Sequence, residues 1–242
     1  MNPILSNTTF KSYSTSEENR MTINGTIVKT LILLCLLSAS SLLAWYRFKA
    51  NDIKSVQLLL KIALPITFFV GWITYFKPNW TFITGPLYAI TQGFFVGTLS
   101  SVVQHFFPNV VNQAIPLTFS IVFGLLFLYS TGIVRVTRKL QTTILVALFA
   151  ITMTYLLEFI LSFFNVGIPY IHESGMVGIG FSLLLVVTAS FTLLIDFEAI
   201  VQNAKHGAPQ YMEWYCAYAL MVTLVWLYME ILRLLMKISK KR

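Results

Sequence analysis

The chain has 242 residues, of which 57% are hydrophobic and 11% charged, with a net charge of +8. An ordinary soluble domain carries roughly 25% charged residues, and a soluble fold of this size cannot hide so much apolar surface; the mean hydropathy of +0.75 agrees. The positive charge does not point to nucleic acid. The basic residues sit between apolar runs and at the C-terminus (Lys237, Lys240, Lys241, Arg242), a pattern that suits anionic lipid headgroups.

Residues 1–26 are polar and rich in Ser, Thr and Asn, with Lys11, Glu17, Glu18 and Arg20. They lack the apolar core and small-residue cleavage site of a signal peptide, and read as a short flexible tail ahead of a single helical transmembrane domain over 27–242. Seven apolar segments follow, at about 27–46, 56–76, 82–104, 110–132, 142–164, 175–200 and 214–236. Each is close to the roughly 20 residues that span hydrocarbon. Backbone groups in lipid must bond within their own segment, so these are helices. The expectation is an all-α membrane protein of about seven transmembrane helices joined by short connections, multi-pass in a cell membrane. With the N-terminus inside, Lys and Arg are nearly balanced between the two sides; the basic tail tips the count inward only if the last helix does not cross. We therefore favour an inner N-terminus and leave the side of the C-terminus open.

In chain order, the first segment holds Cys35 and the seventh Cys216. Both lie in apolar runs and read as small buried residues, not as a disulfide or metal site. Lys61, one turn into the second segment, reads as a snorkelling side chain. Gly93 and Gly97 form a G-x-x-x-G in the third, and Gly175, Gly178 and Gly180 crowd the start of the sixth; small residues let helices approach closely in lipid. Pro65, Pro86 and Pro116 kink or start their helices. His105, His172 and His206 map to connections. No His-Glu-x-x-His, Gly-x-Ser-x-Gly or Gly-rich phosphate loop is present, so the chain reads as non-enzymatic, with no resident cofactor.

Acidic residues inside spans are expensive and face a cavity or a partner. In the fifth segment Glu158 has Thr154 and Ser162 at i−4 and i+4; the alternative to an ion path is an interhelical hydrogen-bond network. In the sixth, Asp196 has Thr192 and Thr188 at i−4 and i−8, which places all three on one face. This stripe reads as a wet or ion-accessible path, against the alternative of a helix-end carboxylate bonded to Thr or water. Glu198 points elsewhere and reads as solvent-seeking. In the seventh, Glu230 has Arg233 three residues on, an adequate structural pairing. A hairpin centred near residue 205 sets Asp196 level with about residue 214, beside Glu213. Glu230 would lie roughly 25 Å further along at about 1.5 Å per residue. Two carboxylates in contact cannot both ionise cheaply, so Asp196 and Glu213 would share a proton and titrate as a unit. Ionised, they would offer oxygens to Ca²⁺, which takes several such ligands.

The segments GPLYAITQGFFVGTLS at 85–100, YSTGIVRVT at 129–137, LIDFEAI at 194–200 and APQYMEWYCAYALMVTLVWLYMEILRLL at 208–235 together resemble the Bax inhibitor-1 family, in its bacterial YccA-like branch. The resemblance runs from about residue 21 to the C-terminus. It implies a seven-helix fold with the last helix central in the bundle, in the bacterial inner membrane. It also implies a passive, pH-sensitive calcium leak gated by a carboxylate pair on helices six and seven. Asp196 falls on the sixth-helix acid. The family's Tyr-x-Asp-Phe pattern has two counterparts on the seventh, Tyr211-Met-Glu213-Trp and Tyr228-Met-Glu230-Ile. Glu213 suits the hairpin geometry and Glu230 the Leu-Tyr-x-acid wording; in both, Glu stands for Asp and the spacing from Asp196 departs from the usual one. The second function the resemblance implies is a non-conducting regulator that binds another membrane protein, such as a quality-control protease.

Overall fold

A computed structural model describes residues 20–50, 53–163 and 175–241. Among these residues there are seven α-helices: α1 (Ile23–Lys49), α2 (Ile53–Phe76), α3 (Thr81–Phe106), α4 (Val110–Ser130), α5 (Arg138–Ser162), α6 (Met176–Lys205) and α7 (Tyr211–Lys241), with a 3-10 turn at Pro78–Trp80 before α3. Each expected segment is a helix. Six are long and apolar enough to cross a membrane, and the described apolar stretch of the other, α2, is Leu60–Phe76. Residues 1–19 of the expected tail, and all of the expected Asn165–Ser174 connection with His172, lie outside the described residues.

The helices run past their apolar stretches because polar residues cap them. Thr22 accepts the Gly25 N–H and starts α1 at Ile23, and Thr137 accepts the Leu140 N–H and starts α5 at Arg138. Side-chain oxygens at this position satisfy N–H groups that the first turn leaves open. α3 continues to Phe106, so His105 sits in its last turn and not in a connection.

The chain forms two compact units. In the first, residues 20–50, 53–108 and 196–222 bring together α1, α2, α3, the end of α6 and the start of α7. Here the G-x-x-x-G of α3 does what its spacing predicts. A Cβ on Gly93 would strike Ser40 Oγ and the Leu37 carbonyl of α1, and one on Gly97 would strike the Ser41 carbonyl. α2 meets α3 through the Thr74 and Thr84 hydroxyls, 2.7 Å apart, with Thr74 fully buried.

The second unit comprises residues 109–163, 175–195 and 223–241: α4, α5, most of α6 and the end of α7. The glycines at the start of α6 are not the close-approach patch expected. Among the described residues, nothing lies within 4 Å of a Cβ on Gly175 or Gly180. Gly178 contributes its carbonyl instead, which accepts from Lys237 Nζ at 2.9 Å. Large apolar side chains such as Leu42, Phe68, Phe123, Phe149 and Met176 are exposed, as lipid-facing positions are. Cys35 is among the exposed residues, against the expectation of burial. An apolar run in lipid has two apolar faces, and sequence alone does not say which one a residue occupies.

Candidate functional site

The loop between α6 and α7 builds the site. α6 ends at Lys205 and α7 begins at Tyr211. Gly207 turns the chain with φ +67, a left-handed conformation that glycine adopts without strain. Arg20 forms a bridge with Pro209, and the Met21 N–H donates to the Ala208 carbonyl at 2.7 Å. The residues just before α1 are thereby tied to the loop.

That tie brings α1 against the first turn of α7. The Thr22 N–H and hydroxyl both donate to Glu213 Oε1, at 2.8 and 2.9 Å. Lys29 Nζ, two turns further on, forms an ion pair with Glu213 Oε2 and lies 5.6 Å from the Trp214 ring centroid. Gly25 makes room, since a Cβ there would collide with the Glu213 carboxylate. Glu213 is 3% exposed and sits in the first turn of α7, where the helix dipole favours negative charge. Two Thr22 donors, a helix N-terminus and the half-buried Lys29 therefore hold one carboxylate.

Asp196 is also in this unit, 1% exposed on α6. Two turns further along α6, the Asn203 amide donates to Cys216 Sγ at 3.7 Å. The helix ends put the hairpin centre near residue 208, midway between Lys205 and Tyr211, and not near 205 as expected. Both helices extend beyond the expected segments, so the turn is His206–Gln210 in place of the expected 201–213. The level opposite Asp196 shifts accordingly from residue 214 to about 220, about 10 Å beyond Glu213 at about 1.5 Å per residue. The described contacts of the Glu213 carboxylate are those to Thr22 and Lys29.

The other expected residues fall as follows. Thr188 and Thr192 are buried, and their hydroxyls donate to the Leu184 and Thr188 carbonyls of α6 itself. This i−4 bonding is the usual way a threonine settles in an apolar helix. Glu198 accepts from Gln202 Nε2 at 2.6 Å and is half-buried. Glu158 is half-buried on α5, and the hydroxyl of Thr154 donates to the Ala150 carbonyl; the Ser162 side chain lies outside the described residues. Glu230, 2% exposed, forms the expected pair with Arg233 at 3.0 Å and accepts from Trp226 Nε1 at 3.2 Å. Arg233 also donates to the Tyr155 hydroxyl of α5 at 2.7 Å.

Thr22, Lys29, Asn203 and Tyr155 were not singled out by sequence reasoning. Lys29 carried a signal: it is a cation well inside the first apolar run, counted there only as a flanking charge. Thr22 stands directly before an apolar run, the usual place of a helix cap. Among the described residues, no group of three or more His, Cys, Asp and Glu is placed to hold a metal ion.

Residues 2–240 match the family described as Bax inhibitor 1 like. The chain belongs to that family. Comparisons with curated proteins and with solved structures found no match. This Bax inhibitor 1 like protein is a multi-pass, all-helical membrane protein, and the family match spans the segments around Asp196, Glu213 and Glu230 together.

Proposed function

We propose that this protein is a passive, pH-sensitive leak for Ca²⁺ or a similar cation, in the bacterial inner membrane and of the YccA-like branch, with Asp196 as its titrating acid. The observation that carries the reading is the near-complete burial of Asp196 on a membrane-spanning helix. An ionisable side chain kept at such a place has a role beyond packing. Glu213 is the second acid. It acts with Asp196 across the Asn203–Cys216 contact and exchanges partners, from Lys29 and Thr22 in the held state to the passing cation in the open one. Ca²⁺ is cargo here, met by carboxylate oxygens and water. Thr188 and Thr192 commit their protons to backbone carbonyls, which leaves their oxygens as acceptors. Glu230 and Glu158 are the alternative acids; the Arg233 and Trp226 bonds of Glu230 favour a structural role for it.

The test is Ca²⁺ flux into proteoliposomes over a range of pH, wild type beside Asp196→Asn. Flux without an energy source, with a pH profile displaced in the variant, is the expected result. An identical profile removes Asp196 from the mechanism. A purified protein that conducts at no pH returns the function to the second expectation, a regulator that binds another membrane protein.

A further inference from the structure

Beside the ion pair, the same unit contains a groove of about 560 Å³ between α2, α3 and the first part of α7. That is within the roughly 300–1,000 Å³ typical of ligand sites. Leu64, Phe68, Trp72 and Phe76 line its outer wall, and Phe68, Trp72 and Phe76 follow one another with ring centroids 6.2 and 5.4 Å apart. The floor is Gly71. A Cβ there would lie 3.3 Å from the Tyr88 ring and 3.5 Å from the Tyr218 hydroxyl, so the missing side chain is what opens the groove. Tyr88 and Tyr218 meet edge to face at 5.0 Å.

The groove is not uniformly apolar. Thr67, Tyr88 and Tyr218 put hydroxyl groups along it, and the buried Thr67 Oγ1 has no hydrogen-bond partner among the described residues. A hydroxyl shielded from water without an acceptor is unfavourable; rotation toward the Ala63 carbonyl one turn back or an ester oxygen of a guest in the groove satisfies it. Depth identifies the guest. α2 ends at Phe76, and Lys77 follows with its Nζ 4.4 Å from the Trp80 ring centroid. Trp, Tyr and Lys together mark a membrane interface. Gly71 lies six residues from Lys77, about 9 Å along α2, and Leu64 a further seven, about 10 Å, which brings it within one turn of Lys61 at the other flank. Inward from Lys77 come Phe76 and Trp72, then the Tyr218 hydroxyl beside Gly71, then Phe68, Thr67 and Leu64.

We propose that this groove binds one glycerophospholipid with an anionic headgroup. Its phosphate lies toward Lys77, an ester carbonyl accepts from the Tyr218 and Thr67 hydroxyls, and one acyl chain runs past Phe68 to Leu64. The site depends on the membrane assignment alone and is independent of the proposed leak.

Native mass spectrometry of the full chain in neutral detergent tests it, with phosphatidylglycerol and phosphatidylcholine of identical acyl chains as probes. Wild type should take up one phosphatidylglycerol saturably, about fivefold more tightly than phosphatidylcholine, as one lysine at an anionic group provides. Lys77→Gln should abolish that preference and retain phosphatidylcholine. Tyr218→Phe and Thr67→Val should each weaken both lipids by about fivefold, the effect of one hydrogen bond. Gly71→Leu should lose the adduct with thermal unfolding unchanged; if it fails to fold, the two hydroxyl variants decide. Non-saturating uptake, equal affinity for the two lipids in wild type, hydroxyl variants that bind as wild type does, or a dimer with no lipid adduct would overturn the proposal.

Discussion

Replacing Lys29 by Met should destabilise the protein more than replacing Glu213 by Gln, although both remove the same ion pair. The side chain of Glu213 is 4% exposed and that of Lys29 17%. In Lys29→Met the carboxylate stays buried with only the two Thr22 bonds. Removing one member of a buried pair costs about 3–5 kcal/mol. The surviving Thr22 bonds put this case at the low end, about 3 kcal/mol. In Glu213→Gln the amide oxygen still accepts from Thr22, and the freed lysine extends its stem toward water; we expect about 1 kcal/mol, one charge-free hydrogen bond. The difference of about 2 kcal/mol corresponds to roughly 4–8 °C at about 2–4 °C per kcal/mol for a chain of this size. Thermal unfolding in detergent reads it directly. The double variant should unfold close to Glu213→Gln alone, because once the carboxylate is gone the lysine has nothing to neutralise. Equal shifts for the two single variants, with an additive double, would refute the reasoning: the pair would then be a solvated one with no buried charge behind it.

Two further outcomes follow from the packing. Gly97→Ala should destabilise by about 1–3 kcal/mol, since its Cβ meets the Ser41 carbonyl and rigid backbone must move. Gly124→Ala, with nothing within 4 Å, should stabilise by about 0.5–1 kcal/mol through helix propensity, and unfolding temperatures of the two variants separate the effects. Arg233→Met should cost about 3 kcal/mol by leaving the Glu230 carboxylate buried with Trp226, whereas Tyr155→Phe, which removes a single bond to Arg233, should cost about 1 kcal/mol; a tyrosine variant as damaging as the arginine one would place the weight of that network on α5.

The helices were legible because the bilayer demands them: long apolar runs have one backbone solution in hydrocarbon. Gly93 and Gly97 were legible for a related reason, since without side chains they mark where α3 approaches α1. What the sequence hid has two sources. Lipid and protein interior are both apolar, so the outward place of Cys35 and the open space at Gly175 and Gly180 leave no compositional trace. Polar contacts between distant segments are hidden as well. Lys29 and Glu213 are 184 residues apart, and nothing along the chain says that they meet. The expected neighbour of Glu213 was drawn from the α6–α7 hairpin alone. The turn proved shorter and centred further along the chain, and α1, entering beside that loop through Met21 and Ala208, supplies the described partners of the carboxylate.

The distribution of those polar contacts explains why the last helix is enclosed by protein. In the first unit α7 gives Glu213 to α1, Cys216 to α6 and Tyr218 to α3. In the second it gives Arg233 to α5 and Lys237 to α6. The charged members of this set, Glu213, Arg233 and Lys237, would be costly against hydrocarbon. The residues from Tyr215 to Met221 are all buried, so α7 has no continuous apolar face left for lipid over that stretch. Lipid tails are as apolar as leucine, so hydrophobicity cannot choose neighbours among helices; close packing and hydrogen bonds do. α1 and α3 choose each other by close approach at Gly93 and Gly97. α7 chooses by chemistry, and a helix with polar groups on several sides fits only where other helices stand on those sides. Glu213, the second acid of the proposed leak, is therefore also part of what positions the helix that carries it, and the two roles separate only when stability and flux are measured on the same Glu213 variants.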